Sequence, residues 1–429
     1  MVSICFYFQV HQPFRIRKYS IFDIGQNRDY FEEKNNLKLN NEAVLRKVAN
    51  KCYLPANKLM LELINKHPEF RISYSMSGTA LEQFEKYYPE VTDSFMKLVD
   101  TGRVELLSET YHHSLAYLYS KKEFKEQVAL HKEKLWGIFS YKPKVFRNTE
   151  LIYNNELASF IEGMGYKGII CEGVDKHLNG RTPNFIYRAA NTKHVKLLLK
   201  NYLLSDDIAF RFSDKGWKEF PLTADKFKNW IHNIAGNGET INLFMDYETF
   251  GEHQWESTGI FNFLDKLPEE ILKHPDFDFK TPSEVISSYP ARDIYDVPDF
   301  TSWADTERDL SAWLSNSMQI ESIKRIYSIE KDVLACEDPA LLKVWEKLQT
   351  SDHYYYMCTK FWNDGDVHKY FSPFESPYDA YMYFMNVFSD LESSIKDLRK
   401  KLKKIPRVKD TWILPESIAV NQANRLAMN

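Results

Sequence analysis

A parallel α/β barrel followed by an all-helical region is the fold class this sequence predicts, on three observations. Short apolar runs alternate with amphipathic stretches through the first two-thirds of the chain. Each apolar run ends in a polar cluster, and near residue 290 strand signal gives way to helical spacing alone. Strands alternating with helices form βα units around a parallel sheet. About seven units give a complete or slightly incomplete barrel, whose active site is built by the loops after the strand C-termini.

Residues 2–10 are the first predicted strand, running into His11-Gln12-Pro13. The stretch has no basic leader and no small-residue cleavage site, so it reads as a strand and not a signal peptide. Further runs follow at 72–76 before Ser77, 104–107 before Glu109, 145–146 before Glu150 and 168–171 before Glu172. The last two are 195–204 before Asp206 and 241–245 before Asp246. Helical spacing lies between them at 42–66, 123–139 and 155–164. After a run at 277–280, Thr281-Pro282-Ser283-Glu284 is a capping box with proline at the first helical position. Pro290 and Pro298 then interrupt any periodicity, which sets the expected boundary: a catalytic barrel over 1–290 and a helical domain over 291–429. In the latter, 310–334, 340–348 and 380–405 carry helical spacing. The basic run at 396–404, with Leu398, Leu402 and Ile405 in helical register, reads as a solvated helix face. The last ten residues are expected to fray.

The 429 residues include 44% hydrophobic and 27% charged side chains, within the range of a globular chain with a full core. A net charge of −4 makes no electrostatic case for nucleic acid or an anionic membrane, and no apolar run is long enough for a membrane span. Five scattered cysteines without a C-x-x-C pair argue against a disulfide framework and a zinc ribbon, and fit a reducing, cytoplasmic setting. Aromatic residues reach 15%, most of them expected in the core.

Two strand ends present a carboxyl in a specific context. Glu150 closes Val145-Phe146-Arg147-Asn148-Thr149-Glu150 among hydrogen-bonding neighbours that would keep it ionised. Asp246 follows an apolar strand, and Phe244, Met245, Phe250 and nearby Glu248 would raise its pKa towards that of a general acid. Two such groups flanking one bond are what glycoside hydrolysis requires. Taken singly, each reads equally well as a loop carboxylate at the surface.

Five segments in order resemble the motifs of glycoside hydrolase family 57: His11-Gln12-Pro13, Gly102-Arg103-Val104-Glu105, the strand-borne Glu150, Asp246-Tyr247-Glu248-Thr249-Phe250-Gly251, and Gln349-Thr350-Ser351-Asp352-His353-Tyr354-Tyr355-Tyr356. The resemblance implies a (β/α)7 barrel whose cleft a C-terminal helical region completes. It also implies action on α-linked glucans or maltooligosaccharides, with Glu150 as nucleophile and Asp246 as general acid/base. By the same resemblance Glu105, Glu248, His11 and Asp352 line the subsite of the reacting glucose, and Tyr355 suits stacking on a sugar ring. The sequence departs from some members at Gln9, where they have a second histidine, and in lacking a tryptophan beside Glu150.

Glu109, His112 and His353 occupy loop positions suited to substrate contact, whereas His113 reads as structural. The histidines show none of the spacings of a zinc site, so no metal or other cofactor is expected. Trp255, sharing a loop with Asp246, ranks above Trp303 as a stacking platform. The rival activities are a 4-α-glucanotransferase or branching-type transglycosylase, a metal-dependent barrel deacetylase or mannosidase, and a non-catalytic glucan-binding protein.

Overall fold

The computed structural model describes residues 1–360 and 367–404. Its single sheet contains β1 (Val2–Val10), β2 (Ile72–Met76), β3 (Val104–Leu106), β4 (Val145–Arg147), β5 (Gly168–Glu172), β6 (Tyr187–Ala189), β7 (Lys196–Lys200), β8 (Thr240–Asp246), β9 (Phe277–Phe279) and β10 (Asp293–Tyr295). Seven of these run parallel in the order β4-β5-β7-β8-β1-β2-β3. One parallel bridge, Ser108 to Phe146, closes the ring. There Ser108 N–H donates to Val145 O (3.0 Å) and Arg147 N–H donates to Ser108 O (2.8 Å). The ring strands are the seven apolar runs singled out in the sequence, so the chain forms a (β/α)7 barrel. Outside the ring, β9 lies along the start of β1, β6 pairs antiparallel with β7, and β10 extends β6.

Period two sorts each ring strand into an outer and an inner face. In β1, Ile4, Phe6 and Phe8 join the large core shared with the helices, whereas Cys5 and Tyr7 fill the barrel with Ile170, Leu198 and Phe244. Both faces are buried, which is why the strands carry apolar residues on both, with small or hydrogen-bonded polar residues such as Ser73 and Ser75 among them. The helix Pro282–Ser288 closes the end where the strands begin. It starts on the Thr281/Glu284 capping box and packs Val285 under the inner cluster.

The helical stretch at 42–66 is two helices, Asn41–Val48 and Leu54–Lys66, joined by a π-helical turn at Ala49–Tyr53. Pro55 has no N–H to offer the Lys51 carbonyl, so the α-ladder must widen there. The C-terminal region is helical throughout its described part, from Ser311–Leu314 to the long helix Pro377–Lys404. Its basic run ends that helix with Leu402 exposed; Ile405 and the last ten residues lie outside the described residues.

The helical region expected over 291–429 is joined to the barrel in two ways. β10 carries the sheet to Tyr295, and the hydrophobic core continues from barrel to helices. The loop after β1 is also bonded to the last helix. Tyr19 and Tyr30 hydroxyls donate to Asp390 (2.7 and 3.0 Å), as does Gly25 N–H (3.1 Å). Among the described residues no helix is long and apolar enough to cross a membrane.

Candidate active site

The strands that place Cys5, Tyr7 and their neighbours inside the barrel place Gln9, Arg147, Glu172, Lys200 and Asp246 at its open end by the same alternation. Glu150 stands in the turn just after β4, with φ of 57°, and Leu151 follows at 52°. Left-handed backbone at non-glycine residues costs about 1–3 kcal/mol each and gathers at functional sites. His113, which bonds Glu150, shares that conformation at 51°.

Both Glu150 oxygens have a donor: His113 Nε2 at 2.8 Å on Oε1 and Trp303 Nε1 at 2.7 Å on Oε2. Behind His113, its Nδ1 meets Glu109 Oε2 at 3.1 Å, and Arg147 Nη1 reaches the same oxygen at 3.4 Å. Arg147 also donates to Gln9 Oε1. Burial by itself would raise Glu150. The hydrogen bond from His113, the charges of His113 and Arg147, and Trp303 outweigh it and hold the carboxyl below its ordinary range. His113 answers in kind. Burial opposes its charge, but the bonds to Glu109 and Glu150 prevail and lift it to about 9.

Asp246 goes the other way, up to about 7. Burial is the main cause and the charge of Glu150 the next, against the opposing cations of Arg147, Lys200 and His113. Glu248, two residues on, is lifted to about 8 by burial and by Asp246, and is held by the Tyr53 hydroxyl and by Gln12 Nε2 (3.4 Å). Lys200 stands near this pair. Its ammonium bonds Asp206 (3.0 Å), lies 3.6 Å from Glu172, and faces the Trp303 ring at 5.3 Å.

The helical region completes the mouth. Asp352 Oδ2 lies 2.9 Å from His11 Nε2, whose Nδ1 meets Ser77 Oγ at 2.6 Å. The His11 and His113 rings stack at 4.0 Å. Tyr355 stacks on His368 (4.2 Å). Its phenol is raised by burial first, then by the negative charges of Asp305, Glu150 and Asp246.

Other expected contacts lie elsewhere. Glu105 is a correction: it sits two inward layers below the mouth, beneath Leu107 and Glu109, at the closed end, where Ser283 N–H (2.7 Å) and Oγ (2.5 Å) donate to its carboxylate. Glu109 is fully buried and reaches the site through His113 and Arg147. His112 and His113 exchange roles, because adjacent side chains of the turn point to opposite sides. His112 is buried towards Glu346 (3.7 Å), with its pKa driven to about 3 by burial and then by Lys347 and Lys343. His353 turns into the helical core, against Phe384 and the Lys347 carbonyl (3.2 Å). Trp255 is 60% exposed over the Lys51 ammonium, while Trp303, ranked below it, supplies the indole that the segment around Glu150 lacks.

Sequence spacing also concealed one cluster. His11, His113 and Asp352 come from three distant segments, and their ligand-type atoms lie within 4.8 Å of one another. Both Nε2 atoms already face carboxylates, Asp352 for His11 and Glu150 for His113, and His113 holds its proton well past neutrality.

A barrel with one carboxyl held below its ordinary range and a second lifted to about 7 at the same mouth has the equipment of a glycoside hydrolase. The sequence agrees: residues 5–298 match the model of glycosyl hydrolase family 57, and the chain belongs to that family. It is similar to a protein of Methanocaldococcus jannaschii provisionally named alpha-amylase, 46% identical over 410 residues, which are 93% of this chain and 86% of that protein. It is more distantly similar to alpha-amylase 1 of Dictyoglomus thermophilum, at 23% identity over 52% of this chain and 33% of the relative. The fold is similar to a GH57-type branching enzyme of Pyrococcus horikoshii (TM-score 0.69, 14% identity, 93% of this chain and 91% of that one). It is also similar to the 4-alpha-glucanotransferase of Thermococcus litoralis (TM-score 0.61, 16% identity, 82% and 56%).

Proposed function

We propose that this glycoside hydrolase cleaves α-linked glucans by double displacement, with Glu150 as nucleophile and Asp246 as general acid/base. The carrying observation is the opposed shift of the two carboxyls: Glu150 is stabilised as an anion by His113 and Trp303, while burial and that same anion lift Asp246 to about 7. In the first step Glu150 attacks the anomeric carbon while the Asp246 proton passes to the departing glycosidic oxygen. In the second, Asp246 takes a proton from the incoming acceptor, whose oxygen displaces Glu150 from the sugar. Water as acceptor gives α-amylase-type hydrolysis of α-1,4 bonds; a sugar hydroxyl gives transfer. His11, Asp352, Glu248 and Tyr355 are the proposed contacts of the reacting glucose. The α-glucan substrate is supported by the names of the relatives, and a cytoplasmic setting by five buried free cysteines.

The His11, His113 and Asp352 cluster favours a second reading, metal-dependent hydrolysis of another bond. One experiment separates the two: incubation with maltoheptaose, with and without chelator, followed by chromatography of the products. The proposal expects cleavage that chelation leaves unchanged and that Glu150→Gln and Asp246→Asn each reduce by at least about 10³-fold. Products longer than the substrate would mark transfer. Activity lost to chelator, or near-normal cleavage by either variant, contradicts the mechanism.

A further inference from the structure

We infer that the short helix Val367–Phe371 presents Tyr370 and Phe371 as a stacking platform for glucosyl units on the leaving-group side of the bond that is cut. The inference rests on the α-glucan reading above and adds residues that none of the five sequence motifs contains.

The helix has two unlike faces. On the inner one, His368 is buried, with Nε2 3.0 Å from both oxygens of Asp305, and its ring lies parallel to Tyr355 at 4.2 Å. Lys360 holds Asp305 from the other side (3.2 Å). On the outer face Tyr370 is 60% exposed, and Phe371, which shares the His368 side of the helix and also meets Tyr355, still leaves 37% of its surface open at the border between the two faces. The rings are linked in series: Tyr355 to Phe371 at 6.4 Å and Phe371 to Tyr370 at 5.0 Å. An aromatic track therefore runs outward from Tyr355, one helical turn from the Asp352 that bonds His11, whose ring stacks on the His113 that bonds Glu150.

His253 fixes which side of the bond the track serves. It lies in the loop after Asp246, its ring 5.4 Å from Phe371 and its Nδ1 3.1 Å from the Tyr370 hydroxyl. The track thus borders the loop of the proton donor, whereas the donors to Glu150 come from His113 and Trp303. The sugar that departs with the Asp246 proton leaves on that side. Glucose has flat C–H faces rimmed by hydroxyls, and rings with a polar handle, Tyr370 hydroxyl and His253 imidazole, match both features.

The test compares two substrates that share the glycosyl step and differ in the leaving group. Maltoheptaose must seat sugars on the leaving-group side, whereas maltosyl fluoride releases only fluoride ion. The double variant Tyr370→Ala/Phe371→Ala is expected to lose roughly tenfold in kcat/KM on maltoheptaose while fluoride release stays within roughly twofold. Tyr370→Phe, which keeps the ring but loses the hydroxyl, is expected to lose less than the double variant on maltoheptaose and to stay near wild type on the fluoride. Equal losses on the two substrates, or no loss on maltoheptaose, overturn the platform and leave the glucan reading standing. A wild-type enzyme inert towards both substrates overturns that reading, and the platform with it.

Discussion

At the scale of single residues the site is organised by one asymmetry: Glu150 has two strong donors, whereas Asp246 is raised by burial and then by another anion. The sign of the pH dependence follows. Asp246 must hold its proton to act as an acid, so kcat/KM is expected to fall as pH rises through about 7. Glu150 must be ionised, so the acid limb is expected below the ordinary glutamate range. A steady-state pH profile checks both limbs. Because the Glu150 charge raises Asp246, Glu150→Gln is expected to lower the Asp246 pKa, which infrared titration of the carboxyl reads. An unchanged value would mean that the two groups are not neighbours. The exchange between His112 and His113 also belongs to this scale. Both are polar residues of one turn, and one step along the chain moves a side chain from the barrel mouth to the helix interface.

At the scale of elements, the parts legible in the sequence are those with a local cause. The seven barrel strands are buried on both faces, so each shows as a short segment dominated by apolar residues. Glu150 and Asp246 stand just past or at such runs. β6 and β10, three residues each, take their register from neighbours and have too few residues to show a period. Glu105 was misplaced because motif membership does not say which inward layer a residue occupies; two residues further along the strand direction is one layer nearer the mouth. Gly251 shows what a motif glycine can be for. It adopts φ of +114°, and an added Cβ would lie 1.9 Å from the Lys51 carbonyl in the π-helical turn. Gly251→Ala is therefore expected to destabilise the fold by about 2–4 kcal/mol, measured by urea unfolding. It should also lower activity by disturbing the Asp246 loop. A neutral result would mean that the loop and the turn separate without cost.

At the scale of the molecule, the catalytic mouth is shared between regions far apart in sequence. Trp303, Asp352 and Tyr355 complete a site whose carboxyls belong to the barrel. No local pattern could reveal these pairings, since Trp303 lies 153 positions from its partner Glu150 and Asp352 lies 341 from His11. The helical region must therefore be held in register, and buried Asp390, accepting from Tyr19, Tyr30 and Gly25, ties it to the loop after β1. Asp390→Ala leaves three donors without their acceptor and is expected to cost about 2–4 kcal/mol of stability, again read by urea unfolding. Unfolding is expected to remain a single transition because the core is continuous. Two separated transitions would show that barrel and helices are independent domains.

The central claim is that Glu150 becomes bonded to sugar during turnover. Reaction with a fluorinated glucosyl fluoride, which slows release of the intermediate, followed by proteolysis and mass spectrometry of the peptides, tests it directly. The predicted result is one glycosyl adduct, on the peptide carrying Glu150, absent from Glu150→Gln. An adduct on Asp246 or Glu248, or hydrolysis with inversion and no adduct, would contradict it.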